Sequence, residues 1–184
     1  MERSKKIYIL LTYTGTFPSK IIKAYTREPF SHVSIGFDMN LKEIYSFARK
    51  KPNNPLIAGF VNENIEKGTF AKFSNTTCAV FSLSVTNTQY KRLKIVIKDF
   101  NSKKENYRYN LLGLVGIIIG YPIERDNTYF CSQFVATVLE KSDINLFDKK
   151  PGLVTPSDFR LSNHLTLIYS GILSDYNKVN LCVI

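Results

Sequence analysis

The sequence predicts a single α+β domain in which an antiparallel sheet packs on helices. Residues 31–38 (SHVSIGFD) alternate strictly between apolar and small or polar side chains, as is typical of a strand with one buried face. Residues 130–141 (FCSQFVATVLEK) instead carry apolar side chains at helical spacing. The 184 residues contain no repeat or linker, and 44% of them are hydrophobic. We therefore expect one domain over residues 1–184, with a core that needs no disulfide or metal.

The other elements are predicted from β-branched and aromatic runs, helical periodicity and turn residues. Strands are expected over residues 7–13, 31–38, 43–49, 78–85 and 165–172, with short ones near 59–63 and 70–73 and loops at 51–55 and 101–106. Helices are expected over residues 17–27, 86–100 and 130–141, with a further helix start at 155–158. Thr86 or Thr88 is the expected N-cap of the helix over 86–100.

The longest apolar run covers residues 111–121 (LLGLVGIIIGY) and contains three glycines. A membrane-spanning helix needs about 20 apolar residues, so this run is too short to be one. We interpret it as part of the core. The alternative is that it lines a pocket for an acyl chain, because its glycines permit close approach.

Charge is the most unusual bulk property of the chain. The sequence has 25 Lys and Arg against 15 Asp and Glu, a formal net charge of +10. This balance favours an anionic partner such as a membrane surface, nucleic acid or an acidic polymer. The basic stretch over residues 91–108 is interpreted as the solvated face of a helix and its loop. Nucleic acid is disfavoured, because only Tyr107 and Tyr109 could interleave with these charges.

The cysteines and the N-terminus indicate a cytoplasmic protein without a cofactor. The chain has three cysteines, an odd number, and they form no C-x-x-C pair that would suggest zinc. The basic start resembles a signal sequence, but the apolar stretch after it is short and runs into Thr and Tyr. We expect no metal, no cofactor and no transmembrane segment.

Cys131 is the best candidate for a nucleophile. It begins a predicted helix, where the helix dipole and free backbone N–H groups lower a thiol pKa and stabilise an oxyanion. Cys78 lies within a strand and Cys182 in the tail, so neither has this support. The alternative is that Cys131 is a small buried apolar residue at a helix start.

Two histidines are available as the base that a cysteine nucleophile requires. His32 lies on the polar face of its strand beside small residues, and the expected strand pairing places Ser46 on the same face to orient the ring. The alternative for His32 is an ordinary hydrogen-bonded sheet histidine. His164, only 33 residues after Cys131, is interpreted as a solvated or capping residue.

Two segments together resemble the circularly permuted branch of the NlpC/P60 papain-like family, the group of YiiX-type amidases with lecithin retinol acyltransferase-like proteins as distant relatives. They are residues 31–35 (SHVSI) and 129–135 (YFCSQFV), and the resemblance extends over most of the chain, including residues 156–159 (PSDF). In the permuted branch the histidine strand precedes the cysteine helix, as His32 precedes Cys131. The resemblance implies a papain-like fold, a Cys131 thiol nucleophile and a His32 base.

The third polar residue departs from the family pattern. These families often place Glu or a second His on the strand after the histidine, whereas here Ser46 is the candidate that faces His32. Glu43 and Glu63 are the fallback candidates, and both are interpreted as surface charges. A serine orients an imidazole more weakly than a carboxylate does.

The expected function is that of a cysteine hydrolase acting on an amide, ester or thioester. An amidase or peptidase on peptide substrates and an acyl-lipid hydrolase or acyltransferase both fit this chemistry. The alternative is a papain-like binding module with an incomplete triad, which would use the +10 charge to bind an anionic lipid surface or nucleic acid.

Overall fold

Strand pairing organises the chain into one antiparallel sheet with helices beside it. The structure is a computed structural model that describes residues 4–15, 28–51 and 54–177, without the side chains of residues 51 and 54–57. Within these ranges the sheet has six strands in the order β4-β3-β2-β1-β5-β8. Their bounds are β1 Lys5–Tyr13, β2 His32–Gly36, β3 Ile44–Lys51, β4 Asn54–Glu63, β5 Thr77–Val85 and β8 Thr166–Ile172. The expected α+β class with an antiparallel sheet is confirmed.

Helices and one short strand pair complete the described fold. The α-helices are α1 Gly68–Lys72, α2 Asn87–Ser102, α3 Leu111–Ile119, α4 Cys131–Glu140 and α5 Pro156–Leu161. The two-residue strands β6 (Arg108–Tyr109) and β7 (Thr128–Tyr129) pair in parallel. Thr86 caps α2 in a capping box with Gln89, as expected. None of the described helices is long and apolar enough to cross a bilayer.

Both faces of the sheet are covered, because the side chains of each strand alternate between them. One face forms the main core, where Val33 and Ile35 of β2 pack with α2 and α4. The opposite face carries a smaller core that includes Leu10 of β1 and Phe70 of α1. The strands β1 and β2 therefore lie at the centre of the sheet, and Thr12 and Ser34 within them are fully buried.

An aromatic cluster fixes α4 against the sheet. Phe47 of β3 is fully buried, and its ring centroid lies 5.1 Å from that of Phe134 and 5.2 Å from that of Tyr129. The Phe60 and Phe100 rings complete the cluster at 6.1 and 6.3 Å from Phe47. Because Tyr129 and Phe134 flank Cys131 in sequence, this packing sets the position of the α4 N-terminus.

The start of β2 is open on one side. Along β1 the pairing extends to Thr12 opposite His32, but β2 pairs with β3 only at Ile35–Tyr45 and Gly36–Ile44. Helix α4 packs against both β2 and β3. The first residues of β2 therefore have a sheet neighbour on one side and can meet the helix start.

Several expectations about local structure are wrong. The strand expected near residues 70–73 is helix α1, whose Phe70 alone is buried, so a short helix suffices to anchor it in the smaller core. The loop expected at 51–55 is shorter, because β3 runs to Lys51 and β4 begins at Asn54. The apolar run after residue 110 is not core but an exposed helix, α3, which turns its glycines inward. The helix expected over residues 17–27 lies outside the described residues, as do residues 16 and 52–53.

Replacing Phe47 tests the role of the aromatic cluster. Truncation in Phe47→Ala leaves a cavity among rings that cannot collapse together, so we expect a loss of about 3–5 kcal/mol in the free energy of unfolding. Urea unfolding followed by circular dichroism measures it. The control Ile95→Ala removes a side chain that is 66% exposed on α2, and it should change stability by less than about 0.5 kcal/mol. Equal effects of the two changes would contradict the packing described.

Candidate active site

The His32 ring is held by a carboxylate from the far edge of the sheet. His32 is the first residue of β2 and Glu63 is the last residue of β4. The distance from His32 Nε2 to Glu63 Oε1 is 3.1 Å, and the two side chains are only 20% and 10% exposed. An ion pair this enclosed is screened little by solvent, so it fixes both the position and the charge of the imidazole.

Two serines surround the Glu63 carboxylate. Ser34, two residues after His32 on the same face of β2, donates its hydroxyl to Glu63 Oε2 at 2.5 Å and lies 3.3 Å from His32 Nε2. Ser46 of β3 is fully buried and close enough to Glu63 to help lower the pKa of its carboxyl, although its hydroxyl makes no hydrogen bond of ordinary geometry among the described residues. The carboxylate is thus set in a small polar patch within the sheet.

The residue against the His32 ring is Glu63 and not Ser46. Ser46 lies on the same face of the sheet as His32, as expected. Along β3 and β4, Ile44 is opposite Glu63 and Ser46 is opposite Val61. The interpretation of Glu63 as a surface charge is wrong, because its side chain is only 10% exposed and is paired with the His32 ring. Glu43 is a surface charge, as expected, and it pairs with Lys94.

The Cys131 thiol meets His32 at the start of α4. Cys131 is 5% exposed, and its sulfur is hydrogen-bonded to the His32 side chain and to the backbone at Val33 and Ser132. Because Nε2 of the ring is engaged by Glu63, Nδ1 is the nitrogen available to the thiol. The strand start and the helix start therefore bring Glu63, His32 and Cys131 into one chain of contacts.

The charges of this chain of contacts support one another. Burial lowers the pKa of His32, but the Glu63 charge and the hydrogen bonds to Cys131 and Glu63 outweigh it and raise that pKa to about 10. Burial raises the pKa of the Cys131 thiol, and the His32 hydrogen bond and charge, with backbone N–H groups, outweigh it and lower that pKa. For Glu63 too, the His32 charge overcomes burial and lowers the pKa of the carboxyl. Together these shifts favour the thiolate–imidazolium form of the pair over its neutral form.

The first turn of α4 is built without a side-chain cap. Phe130 stands at the N-cap, where its side chain has no acceptor to offer and makes no cap hydrogen bond. Gln133 Oε1 instead accepts from the Phe130 N–H at 3.4 Å and from Asn110 Nδ2 at 3.4 Å. The first-turn N–H groups therefore lie beside the Cys131 sulfur, which engages that of Ser132, and they are placed to donate to a developing oxyanion.

Tyr109 is a site residue that sequence analysis did not single out for this role. Its side chain hydrogen-bonds the Cys131 sulfur, and burial together with the Cys131 charge raises the pKa of the phenol well above 10. The parallel pairing of β6 with β7 sets Tyr109 beside Tyr129, two residues before Cys131. No periodicity in the sequence indicates a two-residue parallel pair, so only the tertiary structure brings this phenol to the thiol.

The remaining candidates lie apart from this site. His164 is exposed in the turn after α5, where its backbone N–H donates to Ser162 Oγ. Cys78 is buried in β5, and burial raises the pKa of its thiol to about 12. Cys182 lies outside the described residues. The described ranges contain no group of three or more His, Cys, Asp or Glu side chains that could hold a metal ion.

Alkylation of Cys131 as a function of pH tests the charge coupling. In His32→Ala the thiolate loses its imidazolium partner, so the apparent pKa of Cys131 should move upward toward the ordinary thiol value. Glu63→Gln should move it in the same direction by a smaller amount, because His32 then holds its proton less strongly. Iodoacetamide labelling followed by mass spectrometry measures the profile. His164→Ala is the control, and a shift in that variant would assign the base to His164 instead.

Unfolding measurements test the His32–Glu63 pair. Either His32→Ala or Glu63→Gln leaves one partner without its enclosed counterpart, at a cost of about 2–4 kcal/mol in the free energy of unfolding. The double variant should cost less than the sum of the single changes.

The pH dependence of the same pair has a defined direction. Because folding raises the pKa of His32 from 6.5 to about 10, its contribution is complete below pH 6.5 and is lost as the pH rises toward 10. Urea unfolding across this range should show wild type and His32→Ala converging in stability at the alkaline end. The His32–Glu63 ion pair would be contradicted if the effects of the two single changes on the free energy of unfolding added up in the double variant. A stability difference between wild type and His32→Ala that does not change with pH would also contradict it.

Comparison of the chain with protein-family models, with curated proteins and with solved structures gives no match in any of the three. The permuted NlpC/P60 resemblance accordingly remains a matter of the two motifs around His32 and Cys131 and their order in the chain. The chemistry of the site rests on its own geometry, which joins an enclosed carboxylate, an imidazolium and a thiol at a helix start.

Proposed function

We propose that the chain is a cysteine hydrolase or acyltransferase that uses Cys131 as nucleophile, His32 as acid and base, and Glu63 as the residue that orients His32. The observation that carries the proposal is the unbroken contact from Glu63 through His32 to Cys131. A purely structural cysteine would gain nothing from a charged imidazole, and the enclosed ion pair is costly to maintain in a core.

The first half of the reaction forms an acyl-enzyme. The Cys131 thiolate attacks the carbonyl carbon of an amide, ester or thioester, and a carbon–sulfur bond forms as the carbonyl becomes an oxyanion. When the carbon–heteroatom bond breaks, the proton on His32 passes to the leaving amine, alcohol or thiol. Glu63 keeps the ring in place and stabilises its charge until this transfer.

The second half releases the acyl group. Neutral His32 takes a proton from water, or from an acceptor alcohol or amine in the transferase case, and the resulting nucleophile attacks the thioester carbon. The carbon–sulfur bond breaks and Cys131 leaves as a thiolate beside the reprotonated His32. In both halves the uncapped N–H groups of the α4 first turn are the donors for the oxyanion.

The permuted papain-like arrangement is part of the proposal. In its favour are the order of the His32 strand before the Cys131 helix and the antiparallel sheet beside that helix. A Glu as third residue fits the family pattern better than the serine expected from the sequence. This Glu63 comes from β4, the second strand along the chain after the histidine strand β2.

The enclosed thiol favours the transfer of an acyl group to Cys131. Peptide amides and acyl lipids are the two candidate classes of substrate. The rival function is a non-catalytic module that binds an anionic partner through its +10 charge. Stoichiometric labelling of Cys131 at about pH 6, where an ordinary thiol is almost wholly protonated, would separate the two functions. An unreactive Cys131, with binding of an anionic partner that weakens steeply in salt, would favour the module.

Hydrolysis of p-nitrophenyl acetate tests the catalytic roles without knowledge of the natural substrate. Wild-type protein should release a stoichiometric burst of p-nitrophenol and carry an acetyl group on Cys131, detectable by mass spectrometry. Cys131→Ala should abolish the burst, and His32→Ala should reduce its rate about a thousandfold. Glu63→Gln should reduce it less, about tenfold to a hundredfold, because the base remains.

Two variants serve as matched controls for the burst. Cys78→Ala removes a buried thiol whose raised pKa keeps it protonated, so the burst should be unchanged. Ser46→Ala removes a hydroxyl that touches the orienting carboxylate but not the ring, so its effect should stay below that of Glu63→Gln. A burst that survives Cys131→Ala, or that is lost in Cys78→Ala, would refute the assignment.

A further inference from the structure

Helix α3 presents most of its large apolar side chains to the outside. The residues that follow Leu111 by one, four, seven and eight positions share this face with it, and Tyr121, after the Gly120 cap, extends the face. The exposed fractions are Leu111 59%, Leu112 50%, Val115 46%, Ile118 52%, Ile119 62% and Tyr121 69%. A contiguous apolar patch of this kind on a folded protein marks an interaction surface.

The glycines of α3 force this orientation. A Cβ at Gly113 would lie 2.9 Å from a ring carbon of Phe130, and one at Gly116 would lie 2.6 Å from the backbone oxygen of Tyr121. Contacts that short do not occur, so only the glycine side of the helix can face the protein. The chain keeps its small residues inward and its large apolar residues outward, the reverse of an ordinary surface helix.

The composition of the face indicates what covers it. The nine residues Leu111–Ile119 (LLGLVGIII) include no polar or charged side chain. Protein interfaces use about one hydrogen bond per 100–200 Å² of area, which the side chains of these nine residues cannot supply, whereas the apolar part of a bilayer requires none. At about 1.5 Å per residue the helix is about 14 Å long, so it can lie in a membrane surface but cannot cross the bilayer core of about 30 Å.

Basic residues flank the helix at its N-terminal end. Lys104 and Arg108 precede α3, and Arg125 lies in the turn before β7, where its carbonyl accepts from Thr128, the residue that pairs with Arg108. None of these three cations forms an ion pair with a carboxylate of the described residues. Glu124 and Asp126 in the same loop reduce the local surplus, but the chain as a whole carries +10.

We propose that the outer face of α3 docks on an anionic lipid bilayer, with its apolar side chains in the interface and the flanking basic residues at the headgroups. The dock adjoins the candidate active site, because Tyr109 contacts the Cys131 sulfur one residue before the α3 cap and Phe130 packs on Gly113. Docking through α3 therefore sets the Cys131 end of the molecule next to the membrane. The proposal does not depend on catalysis.

Vesicle flotation tests the dock. The full chain is mixed with vesicles of phosphatidylcholine containing phosphatidylglycerol, or of phosphatidylcholine alone, and the bound fraction is measured. Wild type should bind the anionic vesicles, with weaker binding to the neutral ones and a loss at about 0.5 M salt. Val115→Gln/Ile119→Gln, which changes two outer side chains to a good helix former, should lower the partition coefficient at least about tenfold.

Matched variants make the outcome specific. Ile95→Gln changes an apolar side chain of α2 that is 66% exposed, against 62% for Ile119, and it should bind vesicles like wild type. Lys104→Gln/Arg125→Gln should weaken binding to anionic vesicles alone, and Cys131→Ala should leave binding intact. Circular dichroism melting confirms that each variant is folded, and Cys131 labelling does so for the variants that keep this thiol.

Three results would overturn the dock. They are wild type that stays off both kinds of vesicle, a Val115→Gln/Ile119→Gln variant that binds as well as wild type, and a dimer by light scattering that this variant dissociates without any vesicle binding. The last result would assign the face to a second copy of the chain. Failure of the p-nitrophenyl acetate burst, by contrast, leaves the dock unaffected, so the two proposals fail separately.

Discussion

A positive charge on His32 is the constraint on which the candidate site depends. A thiolate in a site this enclosed is unfavourable unless a cation and N–H donors face it, and the imidazolium is equally unfavourable without Glu63 beyond it. The Glu63 carboxylate thus lowers the cost of burying the His32 imidazolium, which in turn lowers the cost of burying the Cys131 thiolate. The raised pKa of His32 and the lowered pKa values of Cys131 and Glu63 are therefore one property of the arrangement, shared by three groups.

This arrangement needs the start of β2, the end of β4 and the start of α4 at the same place. The short pairing of β2 with β3 leaves the start of β2 accessible to α4, and the Glu63 side chain at the end of β4 reaches the His32 ring. The aromatic cluster around Phe47 then holds the helix by residues on both sides of Cys131. Core packing and site geometry are thus linked, because the rings that stabilise the fold also set where the nucleophile lies.

The local composition near the site departs from ordinary helix design in two places. The N-cap residue Phe130 has no side-chain acceptor, so it does not cap the first-turn N–H groups of α4, which lie where an oxyanion would form. In α3 the glycines Gly113 and Gly116 face the protein, and the large apolar side chains of the helix face outward. Both departures cost stability in an isolated helix. Both departures fit the proposed active site and the proposed membrane dock, and they lie next to each other in the fold.

The sequence by itself determined the alternating strands, the capped helix after Thr86, the helix that starts at Cys131 and the candidacy of His32 and Cys131, because strand and helix periods and terminal residues are local signals. Tertiary structure alone decided the rest. Glu63 and Ser46 are both candidates in the sequence, and only the folded structure shows that the Glu63 carboxylate is the group that reaches the His32 ring. Tyr109 meets Cys131 through a two-residue parallel pair that has no periodicity to reveal it. The apolar run of α3 looks like core until the contacts of Gly113 and Gly116 show which side of the helix can approach the protein. Long-range pairing and steric fit depend on residues far apart in the chain, and patterns within a single segment do not contain them.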